Sequence, residues 1–534
     1  MVIEQTLSEL KGMRHTAGVV LIAALQRILP RIEALELNAD DVSFELRFTL
    51  DVPLPAEMLS EVEREMISIL REQPLIESTE TLACNAADYF SHQGQNILAE
   101  KLRMSGKQLI PIVRLGSMMF PCKTPHELDP NLIGAVKLLS VSYDAETCLS
   151  TISGTAFSDR RELRKFLKRY ELAKECDHRR LAQHLQLFGV YRAPQGEEWF
   201  WLPKGAIIRD QLLLWWRAEI SSKGFTPVSY ISNDEPAVTH ARIYATVLHV
   251  AQEMPQRYCE ITEHRHTPSR PCGLLDSNAY RADALSVFCR ADQVLNELKF
   301  LLEIMLHTVS LFDLTYEFRL SGKHIWLPEL LQSLDITYLQ TEGPSQQETN
   351  LEILCEDAIG RRWLGPRLTI HHQLPKRERL NFQSADGDSR TPIQLTISCF
   401  SSIERFTALL LEHFSGCLPT WLAPEQIRII PISERHIDYC QQVRNTIAHR
   451  HLRVGIDLRH ETLSTRVFAA ENGRVPYVLV IGDQEEREGC ITVRESRLGT
   501  VTHGVSLTAF LERVQEESRQ RSTAHKHKPL RKDD

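Results

Sequence analysis

Between residues 395 and 428 the apolar positions change period twice. Leu395–Cys399 is a short apolar run and predicts a strand. Ser402 then stands as an N-cap ahead of Phe406, Leu409, Leu410 and Phe414 at helical spacing. Gly416 predicts the stop, and Pro419-Thr420-Trp421-Leu422-Ala423-Pro424 a stiff hinge into another domain. Upstream, Val19, Leu21, Leu25 and Leu29 mark a helix. Val42–Leu50 alternates like a half-buried strand, and Leu59–Arg71 is an amphipathic helix. From Gly154 a long helical stretch is expected, through Leu163, Phe166, Leu167, Tyr170 and Ala173. Ile207–Ile220 reads as another helix. After the hinge, Ile427–Ser433, Leu452–Leu458 and Val475–Ile481 read as strands. A helix carrying Ile437, Cys440, Val443 and Ile447 lies among them, which predicts a small α/β domain with a mixed sheet.

At 534 residues the chain has room for about two to four domains. Its formal charge of −8 gives no overall basic field, so any nucleic-acid contact must come from local patches. The 12 cysteines are scattered without the spacing of a disulfide framework, which fits a reducing cytoplasm. No run approaches the length of a membrane span, and the first residues lack a signal-peptide pattern. No membrane partner is therefore expected.

An arginine one turn into a helix that follows a strand faces the sheet edge, and its fixed fork suits a phosphate chain. Arg405 holds that place. Ser402-Ile403-Glu404-Arg405-Phe406, the Leu-rich helix and Pro419-Thr420-Trp421-Leu422-Ala423-Pro424 together resemble motif 3 of class II aminoacyl-tRNA synthetases and its junction with an anticodon-binding domain. They look most like the corresponding stretch of threonyl-tRNA synthetases. Glu263-His264-Arg265-His266-Thr267-Pro268-Ser269 resembles motif 2. The resemblance implies that Arg265 and Arg405 are catalytic and bind ATP with Mg2+, with Tyr280 also at the nucleotide. Gly224-Phe225-Thr226-Pro227 resembles motif 1, which implies a homodimer. Leu351-Glu352-Ile353 and the run from Arg361 to Pro375 fit antiparallel strands of the class II sheet.

The resemblance spans about residues 10–515. It implies an α+β multidomain chain with an antiparallel catalytic sheet flanked by helices. The expected parts are an editing-like α+β domain at 1–150, a helical linker at 151–198, a catalytic-like domain at 199–421, an α/β anticodon-binding domain at 422–517 and a disordered basic tail at 518–534. The small β-grasp domain with which the family usually opens is not expected. In the editing-like part His15, Cys122 and His126 match family positions, whereas a second helical histidine is replaced by Val19. Read alone, Cys122 and His126 are more readily plain loop residues than half of a zinc site. In the last domain Arg459, Glu486 and Arg494 are candidate anticodon contacts or ordinary surface charges.

The departures decide the functional expectation. The family's catalytic zinc ligands fall on Ala237, Ser286 and Thr396, none of which suits zinc, so no metal site is assigned. The family glutamate that reads adenine falls on Thr267, an aspartate that holds threonine falls on Ala284 beside Asp283, and a lysine falls on Asn350. A replacement site from His264, His266, Cys272 and Cys289 matches no standard zinc spacing. The expected partners are tRNA and an unidentified amino acid. Two functions remain open: an ATP-dependent amino-acid activator with an altered pocket, and a tRNA-binding paralogue that no longer aminoacylates; a weaker third option, implied by the resemblance, is hydrolytic editing of mischarged tRNA through His15, Cys122 and His126.

Overall fold

The computed structural model describes residues 2–521, apart from 30–31, 41, 51–52, 74, 117, 123–128, 145–147, 194–195, 231–233, 266–272, 323–325 and 342–347. Two compact units divide the chain: 1–172 with 359–362, and the remainder.

The first unit is built on the Val2–Ile28 helix. Its apolar side packs with the Leu59–Arg71 helix on a four-stranded sheet, ordered Glu33–Ala39, Phe44–Thr49, Leu149–Phe157, Ala135–Asp144. The expected alternation is present: Phe44, Leu46 and Phe48 are buried and the residues between them are not. Gly18 lets the helix approach the sheet, since a Cβ there would stand 2.4 Å from the Leu37 side chain. A second sheet, Ile76–Leu82, Leu109–Leu115 and Met118–Pro121, carries the Ala83–His92 and Asn96–Met104 helices over its own small core. One expectation fails here. The segment after Gly154 is not the start of a helix but the end of the Leu149–Phe157 strand, and the helix begins at Arg160. Cross-strand packing overrides the local pattern, for a Cβ at Gly154 would meet the Phe44 ring at 2.5 Å.

The second unit is centred on an eight-stranded, largely antiparallel sheet. Its order is Thr226–Pro227, Gln256–Arg265, Ala279–Cys289, Ile393–Ser398, Arg362–His371, Glu348–Glu356, Tyr316–Ser321, Tyr338–Thr341. One face is apolar. Leu285, Val287, Ile397, Leu395, Leu368 and Ile370 turn into a core shared with the Pro203–Ser222, Val294–Leu311 and Ile403–His413 helices. The period of two then puts Ala284, Ser286, Thr396, Thr369 and His371 on the opposite face.

The last part of this unit is a five-stranded mixed sheet, ordered Val454–Ile456, Ile427–Pro431, Tyr477–Ile481, Ile491–Glu495, Thr500–Val505. The strand expected at 452–458 is only Val454–Ile456, because it is a short edge strand. The closing Leu507–Gln520 helix takes in the first residues of the expected tail, and the remainder from residue 522 lies outside the described residues. Among the described residues no helix is long and apolar enough to cross a membrane.

Candidate active site

The Ile403–His413 helix begins where the sequence places it: Ser402 caps it, its hydroxyl accepting from Arg405 N at 3.1 Å. Asp283 fixes the approach to this helix. This buried carboxylate accepts from Trp216 Nε1, Ser398 Oγ, Cys399 N and Phe400 N, all within 2.6–3.0 Å. It lies on the core face of its strand, saturated, and has no capacity left for a ligand.

Arg405 donates from Nε to Leu275 O at 2.7 Å and lies 5.7 Å above the Trp363 ring. Burial lowers its pKa, and nearby Asp276 and Tyr280 act against that shift. Leu275 and Asp276 belong to the turn between the Gln256–Arg265 and Ala279–Cys289 strands. Arg265 is the exposed last residue of the first strand and pairs in register with Ala279. Tyr280 stacks on His264, ring centroids 5.2 Å apart. Arg265, Tyr280 and Arg405 therefore border one end of a single strand pair. Thr267, His266 and Cys272 lie outside the described residues.

Two nearby groups carry no signal in the sequence beyond their neighbours. Glu404 is buried, which raises its pKa. It accepts from Arg281 N at 2.8 Å and from Trp201 Nε1 at 3.2 Å, tying the helix to the strand pair. Arg281 in turn bonds Glu263 across the strands at 3.0 Å.

The three positions singled out for the family zinc do converge. Ser286 and Thr396 are direct cross-strand partners. Ala237 O accepts from Gln394 Nε2 at 2.8 Å, two residues along the strand from Thr396. The side chains there are neutral. Ser286 Oγ is 2.8 Å from His240 Nδ1, and Thr396 Oγ1 is 2.9 Å from His371 Nε2, whose Nδ1 lies 2.9 Å from Glu348. Thr369 donates to Asn350 Oδ1 at 2.6 Å, and Arg367 donates to the same oxygen at 2.9 Å. Among the described residues the one set of three side chains with metal-ligand spacing lies elsewhere, at Asp177, His178 and Glu412. An alanine and two hydroxyls already hydrogen-bonded to histidines do not fit a zinc ion.

In the first unit the Val2–Ile28 helix carries His15, and Cys122 follows the Met118–Pro121 strand. Both are buried, and Cys122 Sγ lies 3.3 Å from His15 Nε2. Val19 is buried one turn along. His126 lies outside the described residues. In the last domain each candidate base contact has a side-chain partner. Arg459 pairs with Asp457 at 2.6 Å and Glu486 with His436 Nδ1 at 2.6 Å. Arg494 pairs with Glu471. Arg459 and Glu486 follow the carboxyl ends of parallel strands, whereas Arg494 sits mid-strand opposite Val478. The structure does not gather the three at one point.

Comparison with known proteins agrees along the chain. A family profile described as "Anticodon binding domain" matches residues 426–517. The chain is 28% identical to "Threonine--tRNA ligase" of Lawsonia intracellularis (strain PHE/MN1-00), over 95% of this chain and 87% of that one. It is 27% identical to "Threonine--tRNA ligase" of Clostridium botulinum (strain Loch Maree / Type A3), over 95% and 88%. Among solved structures it resembles the "RNA binding domain of Threonyl-tRNA synthetase from Cryptosporidium parvum Iowa II", with TM-score 0.59 and 21% identity. That likeness covers 64% of this chain and 98% of the other, and is one of fold.

Proposed function

We infer that the chain, similar along most of its length to threonine–tRNA ligases and matching an anticodon-binding domain, is an ATP-dependent amino-acid activator that acts with tRNA and has a changed amino-acid pocket. The observation that carries this is the contrast between the strand-pair turn and the Ser286–Thr396 pair. At the strand-pair turn, Arg405 is held by Leu275 O and Trp363 beside Tyr280 and the strand that ends in Arg265. Arg265 and Arg405 beside a triphosphate would give the fixed positive charge that phosphoryl chemistry needs, and Mg2+ taken up with ATP would add to it. A few residues away Ser286 and Thr396 face each other where relatives with a metal would hold it. A pocket that reads its substrate by polar contacts loses discrimination when those contacts change. Threonylation at ordinary efficiency is therefore not expected.

The test is amino-acid-dependent ATP–pyrophosphate exchange against every standard amino acid, with and without zinc. Exchange with one amino acid, abolished in Arg265→Ala and Arg405→Ala, supports the reading. Vigorous zinc-dependent exchange with threonine sinks the altered pocket. No exchange from folded protein moves the weight to a second reading, a tRNA-binding paralogue. The match of the whole 426–517 domain, against the altered metal positions, favours that alternative.

A further inference from the structure

Beside the Ser286–Thr396 pair lies a group of buried polar atoms that the activation chemistry above does not use. His240, from the Pro236–Ala245 helix, is wholly buried. Its Nδ1 is bonded to Ser286 Oγ. Its Nε2 points at Glu260 Oε2, 3.8 Å away, which is too long for a hydrogen bond. Among the described residues neither His240 Nε2 nor Glu260 Oε2 has a hydrogen-bond partner, while Tyr230, through its hydroxyl and its backbone N–H, faces the Glu260 carboxylate. No Lys or Arg pairs with Glu260 among them either. Glu260 sits on the strand that pairs with Ala284, on the same face as Ser286. Edge-on rings wall the imidazole, Tyr230 at 5.9 Å and Tyr258 at 6.3 Å.

We propose that Glu260 and His240, backed by Ser286, form a metal-free holder for the α-ammonium group of an amino acid. This rests on the activation reading only for the identity of the molecule that enters. The chemistry follows from the orphaned pair. With Nδ1–H donating to Ser286, Nε2 presents a lone pair, so two acceptors face each other, and the Tyr230 hydroxyl beside the carboxylate brings a proton but no charge. Buried acceptors left unmet are costly, and a carboxylate without a cation more so. An ammonium nitrogen placed at hydrogen-bond distance from both donates to each and neutralises Glu260. A hydroxyl has one proton and satisfies one of them. A metal is not needed to orient the amino group, which agrees with the poor fit of Ala237, Ser286 and Thr396 to zinc. Burial supports a neutral imidazole: it pushes His240 down to about 4 and raises Glu260 above the usual carboxylate range.

The experiment is equilibrium binding by calorimetry in the presence of a chelator, on the full chain, with the standard amino acids and no ATP. The best binder is then compared with its α-hydroxy-acid analogue, and both are measured on Glu260→Gln and His240→Asn. The expected result is zinc-free binding of one or a few amino acids and no measurable binding of the hydroxy acid. Glu260→Gln should weaken affinity roughly 10- to 100-fold, the loss of one charge-assisted bond. Binding that appears only when zinc is added overturns the proposal. So does equal affinity for the hydroxy acid, or unchanged affinity in both folded variants. The analogue comparison uses wild-type protein, so it decides the matter even where a variant fails to fold. Amino-acid binding through Glu260 without pyrophosphate exchange would leave the holder standing and sink the activation reading. Exchange with affinity indifferent to Glu260 would do the reverse. No binding of any amino acid at millimolar concentration overturns the holder, whatever the exchange assay gives.

Discussion

Removing the Asp283 carboxylate should loosen one short segment more than anything else in the chain. Four donors converge on it: Trp216 Nε1 at 3.0 Å, Ser398 Oγ at 2.7 Å, Cys399 N at 2.6 Å and Phe400 N at 2.9 Å. Asp283 is 2% exposed, so water cannot replace it without opening the core. In Asp283→Ala the serine hydroxyl can turn elsewhere, but the two backbone N–H groups and the indole N–H cannot. Each stranded buried donor costs about 1–3 kcal/mol, so a total of about 3 kcal/mol or more is expected. Asp283→Asn recovers part of this at most, since its amide nitrogen must face at least one N–H. The segment concerned leads into Ser401, at φ 57°, and the Ser402 cap. The loss should therefore appear as local opening of residues 397–406. Amide hydrogen exchange read by mass spectrometry measures it directly. At about 1.4 kcal/mol per tenfold, exchange of those amides should speed up about a hundredfold or more. If exchange across 397–406 in the folded variant stays within about threefold of wild type (under ~0.7 kcal/mol), the reasoning fails.

Three further outcomes follow from separate parts of the chain. His240, facing Tyr230, Tyr258, Glu260 and Ser286, has its pKa depressed from 6.5 to about 4 by burial. The unfolded chain thus takes a proton that the folded chain refuses. Stability present above pH 6.5 is lost as pH falls to about 4, by about 3 kcal/mol in all. Glu260 is shifted upward and works in the opposite direction. His240→Asn should flatten the acid limb of urea-unfolding midpoints, and an unchanged limb would refute the burial argument. Arg453 donates to Ala423 O at 2.9 Å and Trp421 O at 2.7 Å, and Gln426 Oε1 accepts from Arg453 N at 2.9 Å, clamping the 419–426 hinge. Arg453→Ala should cost the hinge about 2 kcal/mol and speed proteolytic cleavage there about tenfold or more, and cleavage at the wild-type rate would refute the clamp. The 3.3 Å contact of Cys122 with His15 makes that thiol the group to remove in testing the first unit for hydrolysis of mischarged tRNA. Cys122→Ala should abolish any such activity, and full retention would exclude the thiol.

What the sequence makes legible here is what local forces decide. The Leu59–Arg71 helix has the predicted bounds because its amphipathic pattern is complete within itself. The Ser402 cap and the turn at Gly416 are likewise read correctly from neighbouring residues. The Gly154 segment is misread because its partner, Phe44, is over a hundred residues away. The candidate pocket divides along the same line. Ala237, Ser286 and Thr396 can be singled out one at a time as residues that do not suit zinc. The proposed holder cannot be found that way. His240 and Glu260 are 20 residues apart in the numbering, each unremarkable among its neighbours. Only the pairing of Tyr258 with Ser286 and Glu260 with Ala284, with the Pro236–Ala245 helix laid against them, brings the imidazole and the carboxylate to 3.8 Å. That a residue does not suit zinc is a local fact, whereas the proposed His240–Glu260 holder is a fact about register. The proposed holder is therefore visible only among side chains that the sheet brings together.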